Sequence, residues 1–357
     1  MSSTTPVSTP ARAPGAAPLR VTALAGGVGG ARFLRGLLAA LRSSPDPVRR
    51  RAQLTVVVNT ADDVTLHGLR ISPDLDSVMY TLGGGIDEGR GWGRDDETYA
   101  VAGELARHGQ SPTWFTLGDK DIATHVVRTR LLAEGRTLSE ATEQLCRRWE
   151  PGARLLPMTD DVVETHVDLA PVPEAERAAH DGEAGGRRVH FQEWWVRLHA
   201  AVPALAIEPV GAAAASPAPG VLEALRDADV VVLPPSNPVV SIGSILAVPG
   251  IRDALVATAA PVVGVSPVIG GAPVRGMADA CLAAIGVPTT AAAVAGLYAD
   301  LLDGWLIAEG DEAPAPGPRP LAVRRRPLLM SDPAATAALA GAAVDLALEL
   351  TGEVVPA

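Results

Sequence analysis

The stretch "VTALAGGVGGARFLRGLLAAL", from Val21 to Leu41, permits few folds. Its opening residues, Val21–Ala25, are apolar and suit a buried strand, and Ala31–Leu41 is rich in alanine and leucine and suits a helix. Between them lies Gly26-Gly27-Val28-Gly29-Gly30. Strand, glycine turn and helix in immediate succession begin a βαβ unit. The second strand is Leu54–Asn59, "LTVVVN", a continuous apolar run of the kind that parallel sheets bury on both faces. Its crossover is right-handed. The same scheme returns in "ADVVVLPPSNPVVSIGSIL" and "APVVGVSPVIGGAPVRGMADACLAAIG", and a closing helix follows Asp332 with Pro333 in its first turn. The fold expected is α/β: a Rossmann-like, doubly wound, mostly parallel sheet with an inserted α/β elaboration. Residues 1–18, rich in Ser, Thr, Pro and Ala, read as a disordered tail; residues 19–350 read as one domain, with the insertion at about 83–210.

Composition narrows the partners. The formal charge is −11, with no basic face that would bind nucleic acid, and Arg324-Arg325-Arg326 reads as solvated surface. Cys146 and Cys281 are the only cysteines and have no metal-ligand spacing, so both read as buried thiols. The N-terminal segment lacks the apolar core of a signal peptide, and no apolar run reaches the ~20 residues of a membrane helix. A cytoplasmic protein without a membrane partner is expected.

The glycine loop is not a P-loop, because no Gly-Lys-Ser/Thr follows. Nor does it complete a dinucleotide fingerprint: the third glycine would fall where Arg32 stands, and the second strand ends in Asn59 rather than an acid. A phosphate ligand still fits, since glycines let it approach the backbone and the helix start offers free N–H groups. The alternative is a tight turn with no ligand. Asp62 and Asp63 follow the second strand and should face the same point, where strand order reverses. Asp74 and Asp76 come next, in "SPDLDS". Carboxylates beside phosphates imply an intervening cation, and oxygen ligands suit Mg²⁺. Helix capping is the competing role for Asp74 and Asp76. Among the histidines, His67 and His125 lie nearest this region, and none is paired at zinc spacing. Tyr80, Trp92, Tyr99, Trp114 and Phe115 cluster in a chain otherwise poor in aromatics, and could wall a planar ligand or simply pack a core.

Taken together, "GGVGGARF", "NTADD", "PDLDSVMYTLGGG", "FTLGDKDIATH", "PSNPVVSIG" and "SPVIGGAPVRGMAD" resemble, in order and over nearly the whole chain, the 2-phospho-L-lactate transferase family of coenzyme F420 biosynthesis. "GRGWG", "CRRWEPGARLLPMTD" and "FQEWWVR" resemble its actinobacterial phosphoenolpyruvate transferase branch. The resemblance implies transfer of the phosphoenolpyruvyl group from enolpyruvyl-diphosphoguanosine to the deazaflavin alcohol Fo, giving dehydro-F420-0 and GMP with Mg²⁺ as cofactor. The same reaction with the lactyl donor, giving F420-0, is the alternative. A nucleotide-sugar-binding regulator of the gluconeogenesis-factor type is the non-catalytic one. The implied donor site is Gly26, Gly27, Val28, Gly29, Gly30 and Arg32 at the diphosphate, with Ser236, Asn237 and Ser266 toward guanosine. Asp62 and Asp76 are expected at the metal, and Asp62 or Asp63 as proton acceptor. Trp92, Trp114, Phe115, Gly118, Asp119 and His125 are expected at the acceptor. Family likeness also implies a homodimer.

Overall fold

The computed structural model describes residues 17–180 and 182–352. Most of the expected N-terminal tail, residues 1–16, lies outside the described residues. The strands in chain order are β1 (Arg20–Ala25), β2 (Gln53–Val58), β3 (Val64–Leu66), β4 (Leu69–Ile71), β5 (Arg154–Pro157), β6 (Glu164–Leu169), β7 (Arg188–His190), β8 (Ala204–Val210), β9 (Val230–Leu233), β10 (Val262–Val265), β11 (Val268–Ile269), β12 (Ala272–Pro273), β13 (Gly304–Ile307) and β14 (Ala322–Arg325). Seven of them form one sheet in the order β14-β13-β10-β9-β1-β2-β5, and every pairing in it is parallel. This is the doubly wound arrangement expected from the sequence. Strand order reverses between β1 and β9, which opens a crevice at their carboxyl ends.

The apolar runs follow from burial on both faces. Alternate residues of one strand serve different cores: Val56, Val58, Val230 and Val232 face the layer built on Phe33, Leu34 and Leu37, while Val57, Val231 and Leu233 face the layer built on Ile245, Ile251 and Leu255. The helix Gly27–Ser43 starts inside the glycine run, earlier than its alanine-rich part suggested. It packs on the closing helix Pro333–Leu350, which is long and apolar enough to span a membrane but here lies partly buried on the sheet.

Two insertions rather than one elaborate the sheet. The stretch expected as a single insertion at about 83–210 is interrupted by β5, an edge strand in register with β2 (Val56 opposite Leu155). Before β5 stand the β3–β4 hairpin and the helices Pro73–Leu82, Ala100–Arg107, Asp119–Ala133 and Leu138–Trp149. After it stands a three-stranded antiparallel sheet, β7-β6-β8. A four-residue strand inside a polar region carries too weak a period to be seen in sequence.

Gly36 fixes the spacing of the two long helices. A Cβ there would stand 2.6 Å from Thr336 Cγ2 and 2.7 Å from the Thr336 carbonyl oxygen. Alanine is the better helix former by ~1 kcal/mol, but overpacking against backbone costs ~1–3 kcal/mol. Gly36→Ala is therefore expected to destabilise the protein, read as a lower urea midpoint at unchanged slope. A midpoint at or above wild type would show that the helices yield.

Candidate active site

At the crevice, the turn after β1 meets the turn after β9. Ser236 Oγ accepts from the Gly26 amide (3.2 Å) and donates to the Gly26 carbonyl (2.9 Å). A Cβ at Gly30 would collide with Ser236 Oγ, one at Gly29 would lie 2.8 Å from the Pro235 carbonyl oxygen, and one at Gly26 would collide with Asp74 Oδ2. Gly27 takes φ +65°, the left-handed region. Close packing within the protein therefore already demands these glycines, before any ligand does. The sequence shows that something approaches the backbone, but not whether it is ligand or protein.

Three buried carboxylates cluster at this end of the sheet, and Asp74 abuts the loop itself. Asn59, at the end of β2, donates from Nδ2 to Asp74 Oδ2 (3.0 Å) and accepts from the Ala61 amide at Oδ1 (3.1 Å). Asp62 and Asp63 follow on the turn thus fixed; they are 5% and 1% exposed, and Asp74 is 7% exposed. Burial and the charge of Asp74 push the Asp62 carboxyl well above its ordinary range. Burial pushes Asp63 up to about 7, although Arg70 and the Ser72 hydroxyl (2.6 Å) favour its charged form. Asp74 rises to about 6 by burial, held down by Asn59, the Gly27 amide and Ser241. Asp62 Oδ1 and Asp63 Oδ1 have no hydrogen-bond partner among the described residues.

Two supports come from the second insertion and carry no sequence signal near the site. His190 Nδ1 accepts from the Gln192 amide (3.1 Å), so its hydrogen sits on Nε2 and is donated to the Asp63 carbonyl (3.2 Å). Burial lowers the imidazole's pKa, which keeps it neutral. Gln192 Nε2 donates to the Asp62 carbonyl (3.4 Å).

Asp76, expected beside Asp62 at a metal, is instead engaged on both oxygens by Arg128, one of them at 3.0 Å. Arg128 is itself 1% exposed. Asp74, not Asp76, is the helix acid that shares the glycine loop with Asp62. His125, expected at the acceptor, is buried beneath the surface between Asp121 (3.3 Å) and Asp76 (3.7 Å), and Tyr80 donates to Asp121 (2.7 Å).

The remaining expected residues divide. Asn237 Oδ1 accepts from the amides of Val239 (2.9 Å) and Val240 (3.2 Å), and the Ser266 hydroxyl closes a turn with Val268; these polar atoms serve local turns at the crevice. Arg32 donates to the Glu88 carbonyl (3.2 Å), bringing the 85–94 loop to the glycine turn, and a Cβ at Gly91 of that loop would lie 2.7 Å from Val28 Cγ1. Trp92 is 47% exposed on the same loop, beneath the Arg90 guanidinium at 5.0 Å. Trp114 and Phe115 make an edge contact at 5.9 Å, and Phe115 packs on Val64, Leu66, Ile71 and Leu117. Asp119 accepts from Thr98 Oγ1 (2.6 Å) and the amides of Ala100 and Val101, tying down the helix Ala100–Arg107. Gly118 leaves room for Glu97, with which a Cβ would collide. Gly118 and Asp119 thus have structural work, and Trp92 is the acceptor candidate that faces solvent.

Residues 21–317 match the family model described as 2-phospho-L-lactate transferase CofD. The phosphoenolpyruvate transferase of Thermobifida fusca is 60% identical over 93% of this chain and 99% of its own length. The chain belongs to the 2-phospho-L-lactate transferase CofD family. The phosphoenolpyruvate transferases of Streptomyces coelicolor and Mycolicibacterium smegmatis are 57% and 53% identical, each over 99% of its length and over 93% and 92% of this chain. A crystal structure of a UPF0052 family member from Bacillus halodurans superposes with a TM-score of 0.56 at 15% identity, covering 92% of this chain and all of that one, which shows a shared fold.

In this member of the family the carboxylate cluster sets a pH dependence. Asp63 titrates at about 7 when folded and at ~3.9 when unfolded. Between those values the native state binds a proton that the unfolded state releases, so this contribution to stability is present below pH ~4 and lost as pH rises through 7. Asp63→Asn does not titrate and still accepts from Ser72. Its urea midpoint should fall less between pH 5 and pH 8 than that of wild type; parallel curves would contradict the assignment.

Proposed function

We propose that the protein transfers a phosphoenolpyruvyl group from enolpyruvyl-diphosphoguanosine to the terminal hydroxyl of the deazaflavin Fo, in coenzyme F420 biosynthesis. One observation carries the reading: relatives named phosphoenolpyruvate transferase are 53–60% identical over 92–93% of the chain. The crevice suits it chemically. The hydroxyl oxygen bonds to the phosphorus that bears the three-carbon acid, the bond from that phosphorus to the bridging oxygen breaks, and GMP leaves with that oxygen. Such transfer needs positioning and charge neutralisation rather than a covalent intermediate. Asp63, poised at about 7, is matched to take the hydroxyl proton near neutral pH.

Mg²⁺ fits the residues present. Among the described residues no three His, Cys, Asp or Glu side chains are arranged to hold a metal alone. Mg²⁺ needs only one or two carboxylates, with the substrate's phosphate oxygens completing its shell. Asp62, with an unpartnered oxygen, and Asp74, whose charge bears on it, are the residues that would hold it. Bound there, the cation would offset charge on the phosphate oxygens. The acceptor would lie under the 85–94 loop against Trp92. A homodimer and a cytoplasmic setting belong to the same proposal.

Two measurements test it. With Fo and equal amounts of the enolpyruvyl and lactyl donors, products separated by mass should be mainly dehydro-F420-0; a clear excess of F420-0 would reverse the donor assignment. Asp62→Asn keeps size and removes a charge. Its turnover should fall by ~10²-fold or more and need more Mg²⁺, while its melting temperature holds or rises as repulsion from Asp74 is relieved. Wild-type turnover at wild-type Mg²⁺ dependence would move the metal elsewhere.

A further inference from the structure

Two guanidiniums from distant parts of the chain converge beside the glycine loop. Arg32 stands in the helix after that loop, and Arg275 follows the β11–β12 hairpin. The same short segment pins both: Arg32 donates to the carbonyl of Glu88, and Arg275 to that of Arg90. A Cβ at Gly91, where φ is +77°, would lie 3.0 Å from both terminal nitrogens of Arg275 and 2.7 Å from Val28 Cγ1. The guanidinium therefore lies against a residue that also touches the glycine run.

Their charges are only weakly balanced by the protein: the Glu88 carboxylate feels the charge of Arg32 but is bonded directly to Arg35. Asp87 is engaged by Arg90, and the Glu88 carboxylate pairs with Arg35. Among the described residues neither Arg32 nor Arg275 forms an ion pair with a carboxylate, in a chain whose net charge is −11. Burial lowers the pKa of Arg275 and the nearby charge of Arg32 lowers it further, so the two guanidiniums repel each other. A tie to one carbonyl uses one of the five donors of an arginine and would be met as well by a neutral side chain. Two excess forks facing one crevice instead match the planar, two-point geometry by which arginine grips carboxylates and phosphates.

We propose that Arg275, with Arg32, clamps an oxyanion of the donor at the end of the crevice bounded by the 85–94 loop. The clamp rests on the reading of a guanylyl diphosphate donor. The oxyanion is a phosphate oxygen of the diphosphate or the carboxylate of the three-carbon acid, and the test separates them.

The experiment uses the full chain carrying Arg275→Gln or Arg275→Lys, with Arg326→Gln as a control outside the crevice. GDP and inorganic pyrophosphate are titrated calorimetrically, and the KM for the enolpyruvyl donor is measured. Losing a charged, two-point contact should weaken binding by about tenfold or more in Arg275→Gln, with the melting temperature unchanged. Arg275→Lys should recover part of it, because it restores charge without the fork. Weaker GDP and pyrophosphate binding places the oxyanion on the diphosphate. A raised donor KM with GDP unaffected places it on the three-carbon acid. If all three readouts match the Arg326→Gln control, the clamp is wrong while the donor reading stands. If wild type binds pyrophosphate through Arg275 but neither GDP nor the donor, the clamp stands and the guanylyl donor fails.

Discussion

The carboxyl edge of the sheet depends on how closely the turn after β1 approaches the turn after β9. The reciprocal hydrogen bonds between Gly26 and Ser236 set that distance. They exist only because no side chain stands on Gly26, Gly29 or Gly30, where one would strike Asp74, Pro235 or Ser236. The same contact brings the helix acid Asp74 against the loop and within electrostatic reach of Asp62. Loop geometry and the strained charge state of the acids are thus one arrangement. A like-charge cluster that resists ionisation is held by packing and is relieved by a proton or a cation.

Much of this was legible in the residues. The glycine run, the apolar strands and the acids after β2 each have a local signature, and the parallel, doubly wound sheet follows from βα alternation. The identity of the second acid does not. Asp74 and Asp76 are two apart on the helix Pro73–Leu82, so they face nearly opposite ways. "PDLD" offers both equally, and only the positions of Gly26 and Arg128 decide which acid turns to the crevice. Arg275 lay within a motif tied to the family, but nothing local marks it as unpaired. Gly118, Asp119 and His125 have structural contacts that the sequence does not separate from a ligand role, because capping and buried pairing use the same residue types as ligand binding.

Behind the acids lies a continuous polar chain. Tyr80 bonds Asp121, Asp121 faces His125, and His125 and Arg128 both face Asp76. Arg128 also reaches the Arg70 carbonyl (3.4 Å), and the Arg70 guanidinium lies 3.7 Å from Asp63. Cutting one partner out of such a buried pair costs ~3–5 kcal/mol. The cluster therefore resists rearrangement, as a site built on electrostatic positioning requires.

The hold of His190 and Gln192 on the turn of Asp62 and Asp63 has a consequence for how the molecule is made. Those bonds span 127 and 130 residues, and the Gly26–Ser236 pair spans 210. Contacts so distant along the chain close late, because the intervening loop entropy must be met first. A nascent chain that has released residues 20–74 owns the glycine loop and every acid of the cluster, held by the β1–β2 pairing and the Asn59–Asp74 bond, but lacks the clasp of Ser236, His190 and Gln192. The β1 side of the crevice therefore closes only when the strand and turn ending at Asn237 have been synthesised and dock beside β1.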